Sequence, residues 1–79
     1  MVQVKKTEVR DAILDAAFSL FEEKSYAGTS IAEIGRTAGV APSGIYIYFD
    51  SKLELFYSVY EPWLKKRLLQ LDQDVGQVS

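Results

Sequence analysis

Small and hydroxyl-bearing side chains lie close together between Pro42 and Tyr48. On a helix, Ser43 and Tyr46 are one turn apart and share an outer side with Pro42 and Ile47. Their hydroxyl groups can both donate and accept hydrogen bonds. The chain contains no histidine and no cysteine, so the commonest metal ligands and nucleophiles are absent. These side chains are therefore suited to binding a partner through hydrogen bonds. The sequence predicts no enzyme, metal or cofactor.

Two short helices joined by a tight turn would position these side chains. Ser30 is a good N-cap, and Glu33 three residues later completes an S-x-x-E capping box. Gly39 supplies a left-handed residue that ends this helix, and Pro42 suits the first position of the next one. The sequence thus predicts a helix–turn–helix between Ser30 and about Phe49.

The second of these helices has an unusual outer side. Ile45 and Phe49 are four residues apart and can face the core, whereas Tyr46 lies on the other side. Gly44 lowers helix propensity by about 1 kcal/mol relative to alanine, which close approach to a large partner would explain. One interpretation is insertion of this helix into a DNA major groove. The other is an ordinary helical hairpin with half-buried tyrosines.

The segment TSIAEIGRTAGVAPSGIYIYFDSKLELF resembles the signature of the tetracycline-repressor (TetR) family of bacterial transcriptional regulators. The resemblance covers roughly residues 7 to 57. It implies an all-α fold, with a three-helix, homeodomain-like helix–turn–helix head, a fourth helix and the start of a C-terminal helical region. It further implies a repressor-type regulator that places helix three in the major groove of a palindromic operator. A missing C-terminal domain would form the homodimer and bind a small-molecule effector.

The resemblance also implies which residues contact DNA. It assigns base edges to four residues of helix three, namely Pro42, Ser43, Gly44 and Tyr46. It assigns the DNA backbone to five residues, namely Thr29, Ser30, Ile47, Tyr48 and Lys52. The family commonly has polar residues where this chain has Ala41, Pro42 and Ile47. We therefore expect few direct hydrogen bonds between side chains and base edges. Contact with thymine methyl groups and DNA shape would then contribute to sequence preference.

The remaining chain divides into an arm, a head and a following region. Residues 1–6 are expected to form a flexible arm, residues 7–61 the DNA-binding domain, and residues 62–79 the start of the missing domain. Helix one should bury a stripe that includes Ile13, Ala17 and Phe21. Gly28 should adopt a positive φ. Ser51 and Glu54 form a second capping box, which starts helix four, and Pro62 should kink that helix or start a new one at Glu61.

Charge is the main evidence against DNA binding. The 79 residues carry a net charge of −2, and the sequence pI is about 5.0, whereas nucleic-acid-binding domains are usually basic. An alternative function is a helical protein-interaction module that keeps the fold without binding DNA. The acidic residues concentrate on helix one, however, and distribution matters more than the total. With no membrane-spanning run and no signal peptide, the sequence predicts a soluble cytoplasmic protein.

Overall fold

A computed structural model describes the backbone of residues 6–78 and the side chains of residues 7–70. Over that range the chain forms four helices and no strand, namely α1 (Lys6–Lys24), α2 (Ile31–Ala38), α3 (Pro42–Tyr48) and α4 (Lys52–Val78). The all-α prediction, with a helix–turn–helix followed by a fourth helix, is confirmed. The predicted arm at residues 1–6 lies outside the described residues, apart from the backbone of Lys6, which begins α1.

The core forms around α1, which packs against both α2 and α4, while α2 packs against α3. Every helix contributes buried apolar side chains, as expected when short amphipathic helices share one core. The stripe predicted for α1 is confirmed, because Ile13, Ala17 and Phe21 are all buried. Among residues 7–70, the buried hydrophobic side chains of this core are Ile13, Ala16, Ala17, Phe21, Ile34, Ile45, Phe49 and Leu55.

The buried face of α4 differs from its simplest sequence pattern. Leu53 and Tyr57 occur at helical spacing with Phe56 and Tyr60 but are exposed, whereas Leu55 is completely buried. The α4 residues that belong to the core or pack against it form two neighbouring rows along the helix. One row is Leu55 and Val59 and the other is Phe56 and Tyr60, with the members of each row four residues apart. The periodic pattern alone allows either face of α4 to be buried. Packing against α1 therefore decides which face of α4 turns toward the core.

Aromatic side chains join α1 to α4. The ring centroids of Phe21 and Phe56 are 5.5 Å apart in an edge-to-face arrangement, and those of Phe18 and Tyr60 are 5.9 Å apart. The Tyr60 hydroxyl donates a hydrogen bond of 2.7 Å to the Glu22 carboxylate. Burial, with a smaller effect of this carboxylate, raises the pKa of Tyr60 to about 12. Aromatic packing and one hydrogen bond thus hold α1 and α4 together.

The turn between α1 and α2 places its left-handed residue elsewhere than predicted. Ser25 has a φ of 76°, and its N–H donates to the Phe21 carbonyl at 2.9 Å, which closes the end of α1. Gly28 does not have a positive φ, so that prediction is wrong. Its small size is needed for another reason, because a Cβ there would lie 2.3 Å from the Lys24 carbonyl oxygen.

The turn between α2 and α3 follows the prediction. Gly39 is left-handed, with a φ of 74°, and its N–H donates to the Gly35 carbonyl. The Val40 N–H donates to the same carbonyl at 2.8 Å. A Cβ on Gly35 would lie 2.4 Å from the Val40 carbonyl oxygen, so the turn folds closely over this glycine. This close approach explains the glycine at position 35.

The distal half of α4 extends away from the core. The helix runs continuously through Pro62, so no new helix starts at Glu61. Trp63, Leu64 and Leu68 are exposed. The structure thus leaves an apolar surface uncovered beyond the head. The predicted domain boundary at residues 61 and 62 remains a prediction.

Candidate nucleic-acid interface

The outer side of α3 is a continuous exposed surface. Tyr46 is 51% exposed and Ile47 is 78% exposed, and Pro42 and Ser43 are exposed one turn earlier. Ile45, on the opposite side, is completely buried. The predicted division of this helix into a core side and an outer side is confirmed. The exposed surface combines hydroxyl and apolar groups and carries no charge.

Gly44 has an internal role in the turn. A Cβ at this position would lie 2.6 Å from Cγ1 of Val40, and the residue is only half exposed. Packing against Val40 therefore explains the glycine without a bound partner. The missing side chain points toward the turn, so any contact of Gly44 with a base would involve its backbone.

The start of α2 presents the exposed Ser30, whose hydroxyl donates to Glu33 Oε1 at 3.3 Å. Ser30 Oγ accepts a hydrogen bond from the Glu33 N–H at 3.1 Å, and the Ser30 N–H donates to Glu33 Oε1 at 3.3 Å. This reciprocal pair confirms the predicted capping box. A helix N-terminus of this kind favours anions, because its backbone donors and dipole both point outward.

Glu33 also places a carboxylate beside this helix start, which affects the local charge. The Lys24 ammonium contacts Glu33 Oε2 and forms a salt bridge with it. The hydrogen bond from Lys24 lowers the pKa of Glu33, and the same contact raises the pKa of Lys24. Lys24 thus offsets the negative charge that Glu33 would otherwise present to an approaching phosphate.

Thr29 is buried, with 2% of its surface exposed. Its hydroxyl donates toward the Ser25 carbonyl at 2.8 Å and the Leu20 carbonyl at 3.2 Å, both near the end of α1. A hydroxyl engaged in this way has no surface available for a phosphate. We therefore correct its assignment from backbone ligand to internal support, and Ser30 alone is exposed at this corner.

Lys52, at the first position of α4, lies over an aromatic ring. Its Nζ is 4.2 Å from the centroid of Tyr26, within the range of a cation–π interaction. The side chain of Lys52 is half buried, as is that of Tyr48, which packs against the core. Tyr26 lies in the turn between α1 and α2. Its contact with Lys52 depends on how the turn meets α4, which no local sequence signal indicates.

The N-terminus of α4 has a variant of the predicted capping box. Ser51 Oγ accepts from the Glu54 N–H at 3.1 Å, as predicted. The Glu54 carboxylate, however, accepts from the Asp50 N–H at 2.9 Å, one residue before the expected donor. Both hydrogen bonds of this capping motif are therefore made. They hold the backbone of the first turn of α4, which carries Lys52.

Positive charge near the outer side of α3 is sparse among the described residues. Arg36 is exposed on α2, and Arg10 on α1 lies over the ring of Phe49 at 5.3 Å. The side chains of Lys5 and Lys6 lie outside the described part. Five acidic residues are exposed along α1, namely Glu8, Asp11, Asp15, Glu22 and Glu23.

The described residues contain little that would form another class of site. No group of three or more acidic, histidine or cysteine side chains is arranged to hold a metal ion there. No described helix is long and apolar enough to cross a membrane. The exposed surface of α3, with Ser30 and Lys52 on the neighbouring helix starts, is therefore the best candidate for a functional site in this part of the chain.

Residues 13–59 match the family model for "bacterial regulatory proteins, tetR family". The HTH-type transcriptional regulator AcrR of Shigella flexneri is 41% identical over 54 residues, which cover 68% of this chain and 25% of that protein. The HTH-type negative transcriptional regulator IcaR of the biofilm operon icaADBC in Staphylococcus aureus strain Newman is 37% identical over 57 residues. This match covers 72% of this chain and 28% of IcaR.

A solved structure has the same fold. It is the crystal structure of a mutant HlyIIR protein carrying a linker with two thrombin sites, and it matches with a TM-score of 0.72 and 36% sequence identity. The match covers 75% of this chain and 32% of that chain. This chain therefore spans about a quarter to a third of the length of these relatives, in the region that contains the helix–turn–helix.

Proposed function

Because this chain belongs to the tetR family of bacterial regulatory proteins, we propose that it binds double-stranded operator DNA and regulates transcription. The observation that carries this proposal is the outer side of α3, where Tyr46 and Ile47 are exposed while Ile45 is fully buried on the inner side. A helix held by its inner side in a capped helix–turn–helix can enter a major groove without disturbing the core. The relative IcaR is a negative transcriptional regulator, which favours repression.

Base contacts in this proposal come from the outer side of α3. Ser43 and Tyr46 carry the hydroxyl groups that can donate to and accept from base edges. Pro42 and Ile47 offer apolar surface to thymine methyl groups, and Gly44 contributes only backbone. Because few polar groups are available, sequence-dependent DNA shape contributes to the preference.

DNA backbone contacts come from the helix starts and the end of α3. Ser30 and the N–H groups at the start of α2 receive one phosphate, and Lys52 approaches another. Tyr48 and Ile47 lie along the sugar–phosphate backbone at the end of α3. Thr29 supports Ser30 from inside the chain and makes no phosphate contact of its own.

The functional unit in this proposal is a homodimer that binds a palindromic operator in successive major grooves. The exposed apolar residues Trp63, Leu64 and Leu68 support packing of distal α4 against a further helical region that dimerises and binds a small-molecule effector. The regulator acts in the cytoplasm and has no enzymatic activity of its own.

The test is selection of binding sequences from a randomised pool of DNA duplexes at low and moderate salt. The wild-type chain is compared with a Tyr46→Ala, Lys52→Ala double variant and with Tyr57→Ala, which removes an exposed tyrosine from α4. We expect the wild type and Tyr57→Ala to enrich a common motif, which is one half-site of the palindrome for a single head, and the double variant to lose it. Equal, weak, salt-insensitive binding by all three would refute the proposal and favour a protein-interaction module.

A further inference from the structure

Lys52 occupies an unfavourable place for a cation. The first turn of a helix carries partial positive charge, so an ammonium group there is destabilised unless something compensates. Among the described residues, the salt bridges are Lys24 with Glu33 and Lys65 with Glu61, and neither includes Lys52. The group facing its Nζ is the ring of Tyr26, 4.2 Å away at the centroid. Resting on the proposed function, we propose that Tyr26 positions Lys52 for contact with a DNA phosphate.

Tyr26 is itself firmly held. Its ring lies 5.7 Å from that of Phe21 on α1 and 5.3 Å from that of Phe56 on α4, the latter pair almost perpendicular at 86°. Its carbonyl accepts the Thr29 N–H at 3.3 Å, in the turn that leads into α2. A ring packed between two helices and anchored in this turn is a fixed platform for a long, flexible side chain.

An aromatic ring is a suitable support for a lysine that must bind phosphate. A carboxylate partner would neutralise the ammonium charge and compete with DNA for it. The face of a tyrosine ring attracts the cation through its quadrupole and leaves the N–H donors free for phosphate oxygens. The ring also restricts the rotamers of Lys52 before DNA arrives, so less conformational entropy is lost on binding.

Tyr26 also connects this contact to the start of α2. It lies in the turn that ends at the Ser30 cap, and its ring reaches across to the first residue of α4. The two helix starts that carry the proposed backbone ligands are therefore linked through one side chain. Loss of the ring would free Lys52 while its charge and its place in the sequence remained.

The contact can be measured without DNA. The side-chain methylene protons of Lys52 should show upfield ring-current shifts in NMR spectra of the wild-type chain. Tyr26→Phe keeps the ring and should keep these shifts, whereas Tyr26→Leu should abolish them. Tyr57→Leu removes an exposed tyrosine on α4 and should leave them unchanged. Shifts that persist in Tyr26→Leu, or are absent from the wild type, would overturn the inference without bearing on DNA binding.

DNA binding then tests the positioning role, with a mixed-sequence duplex as the probe because phosphate contacts do not depend on sequence. Tyr26→Leu should bind about two- to fivefold more weakly than the wild type, in line with an exposed cation–π contact. Tyr26→Phe should bind like the wild type. Lys52→Met should reduce the slope of log affinity against log salt by about one, and Tyr26→Leu should cause no further loss in that variant.

The outcomes separate the inference from the function on which it rests. If the wild type does not bind, or Lys52→Met leaves the salt slope unchanged, the phosphate contact of Lys52 is refuted and the positioning role falls with it. If Lys52→Met lowers the slope but the losses from Tyr26→Leu and Lys52→Met add independently, only the positioning role is refuted. Helical circular dichroism of each variant shows whether a loss of binding comes from unfolding. If Tyr26→Leu unfolds, the positioning role is tested with Tyr26→Phe, which keeps the ring and should bind like the wild type.

Discussion

Replacing Ser25 tests the left-handed turn that ends α1. At its φ of 76°, an L side chain costs about 1–2 kcal/mol relative to a right-handed conformation. Glycine avoids that cost. It also gives the unfolded chain more conformational freedom, which lowers the stability of the folded protein by about 0.5–1 kcal/mol. Ser25→Gly and Ser25→Ala both lose the 3.2 Å bond from the Gly28 N–H to Ser25 Oγ. The two variants therefore differ mainly in the Cβ, and we expect Ser25→Gly to be more stable by about 1 kcal/mol.

The measurement is urea and thermal unfolding followed by circular dichroism. A difference of about 1 kcal/mol corresponds to roughly 4–8 °C in Tm for a domain of this size. Ser25→Gly should remain close to the wild type, because relief of the backbone offsets the lost hydrogen bond. Ala27→Gly provides a matched control in the same turn, where φ is not positive, and should lose about 0.5–1 kcal/mol.

The opposite order of the two Ser25 variants would refute this reasoning. If residue 25 were an ordinary end of a right-handed helix, glycine would be the worse residue by about 1 kcal/mol. Ser25→Ala would then be the more stable variant. The two accounts differ in sign, so the comparison does not depend on the exact magnitude of either effect.

Three further changes probe the caps and the α1–α4 contact. Gly39→Ala should cost about 1 kcal/mol in urea unfolding, from its φ of 74° alone, because no atom lies within 4 Å of the added Cβ. Tyr60→Phe should cost about 1 kcal/mol by removing the bond to Glu22, and the phenol that titrates near pH 12 should vanish from the ultraviolet titration. Since folding raises the pKa of Tyr60 above 10.0, its contribution should be complete below pH 10 and lost toward pH 12. Folding lowers the pKa of Glu33 below 4.5, so its contribution should be present above pH 4.5 and lost in more acidic solution, and Glu33→Gln should remove that dependence.

The parts of the fold that the sequence predicts are those decided by near neighbours. The Ser30 and Glu33 pair encodes a cap within four residues, and Gly39 encodes the end of the same helix. On α3, burial of Ile45 and Phe49 follows from their spacing once the turn is fixed. These features require no knowledge of how distant segments meet.

The parts that it does not predict depend on contacts between distant segments. Leu55 is buried instead of Leu53 because aromatic packing against α1 sets the orientation of α4. The burial of Thr29 and the placement of Lys52 over Tyr26 both depend on how the turn folds against its neighbours. A threonine or lysine near a helix start suits solvent, phosphate or an internal partner equally well, so sequence alone leaves its role open.

The absence of charge from α3 separates affinity from specificity in the proposed complex. Residues 42–48 contain no acidic or basic side chain, so the phosphate charge must be met from other elements, such as α4 at Lys52. Base contacts specify sequence, whereas phosphate contacts supply the salt-dependent binding energy. Raising the salt concentration should therefore weaken binding to a selected operator and to a variant operator by the same factor. Competition titrations should find their affinity ratio constant while both affinities fall, and a ratio that declined with salt would mean that a charged group reads the bases.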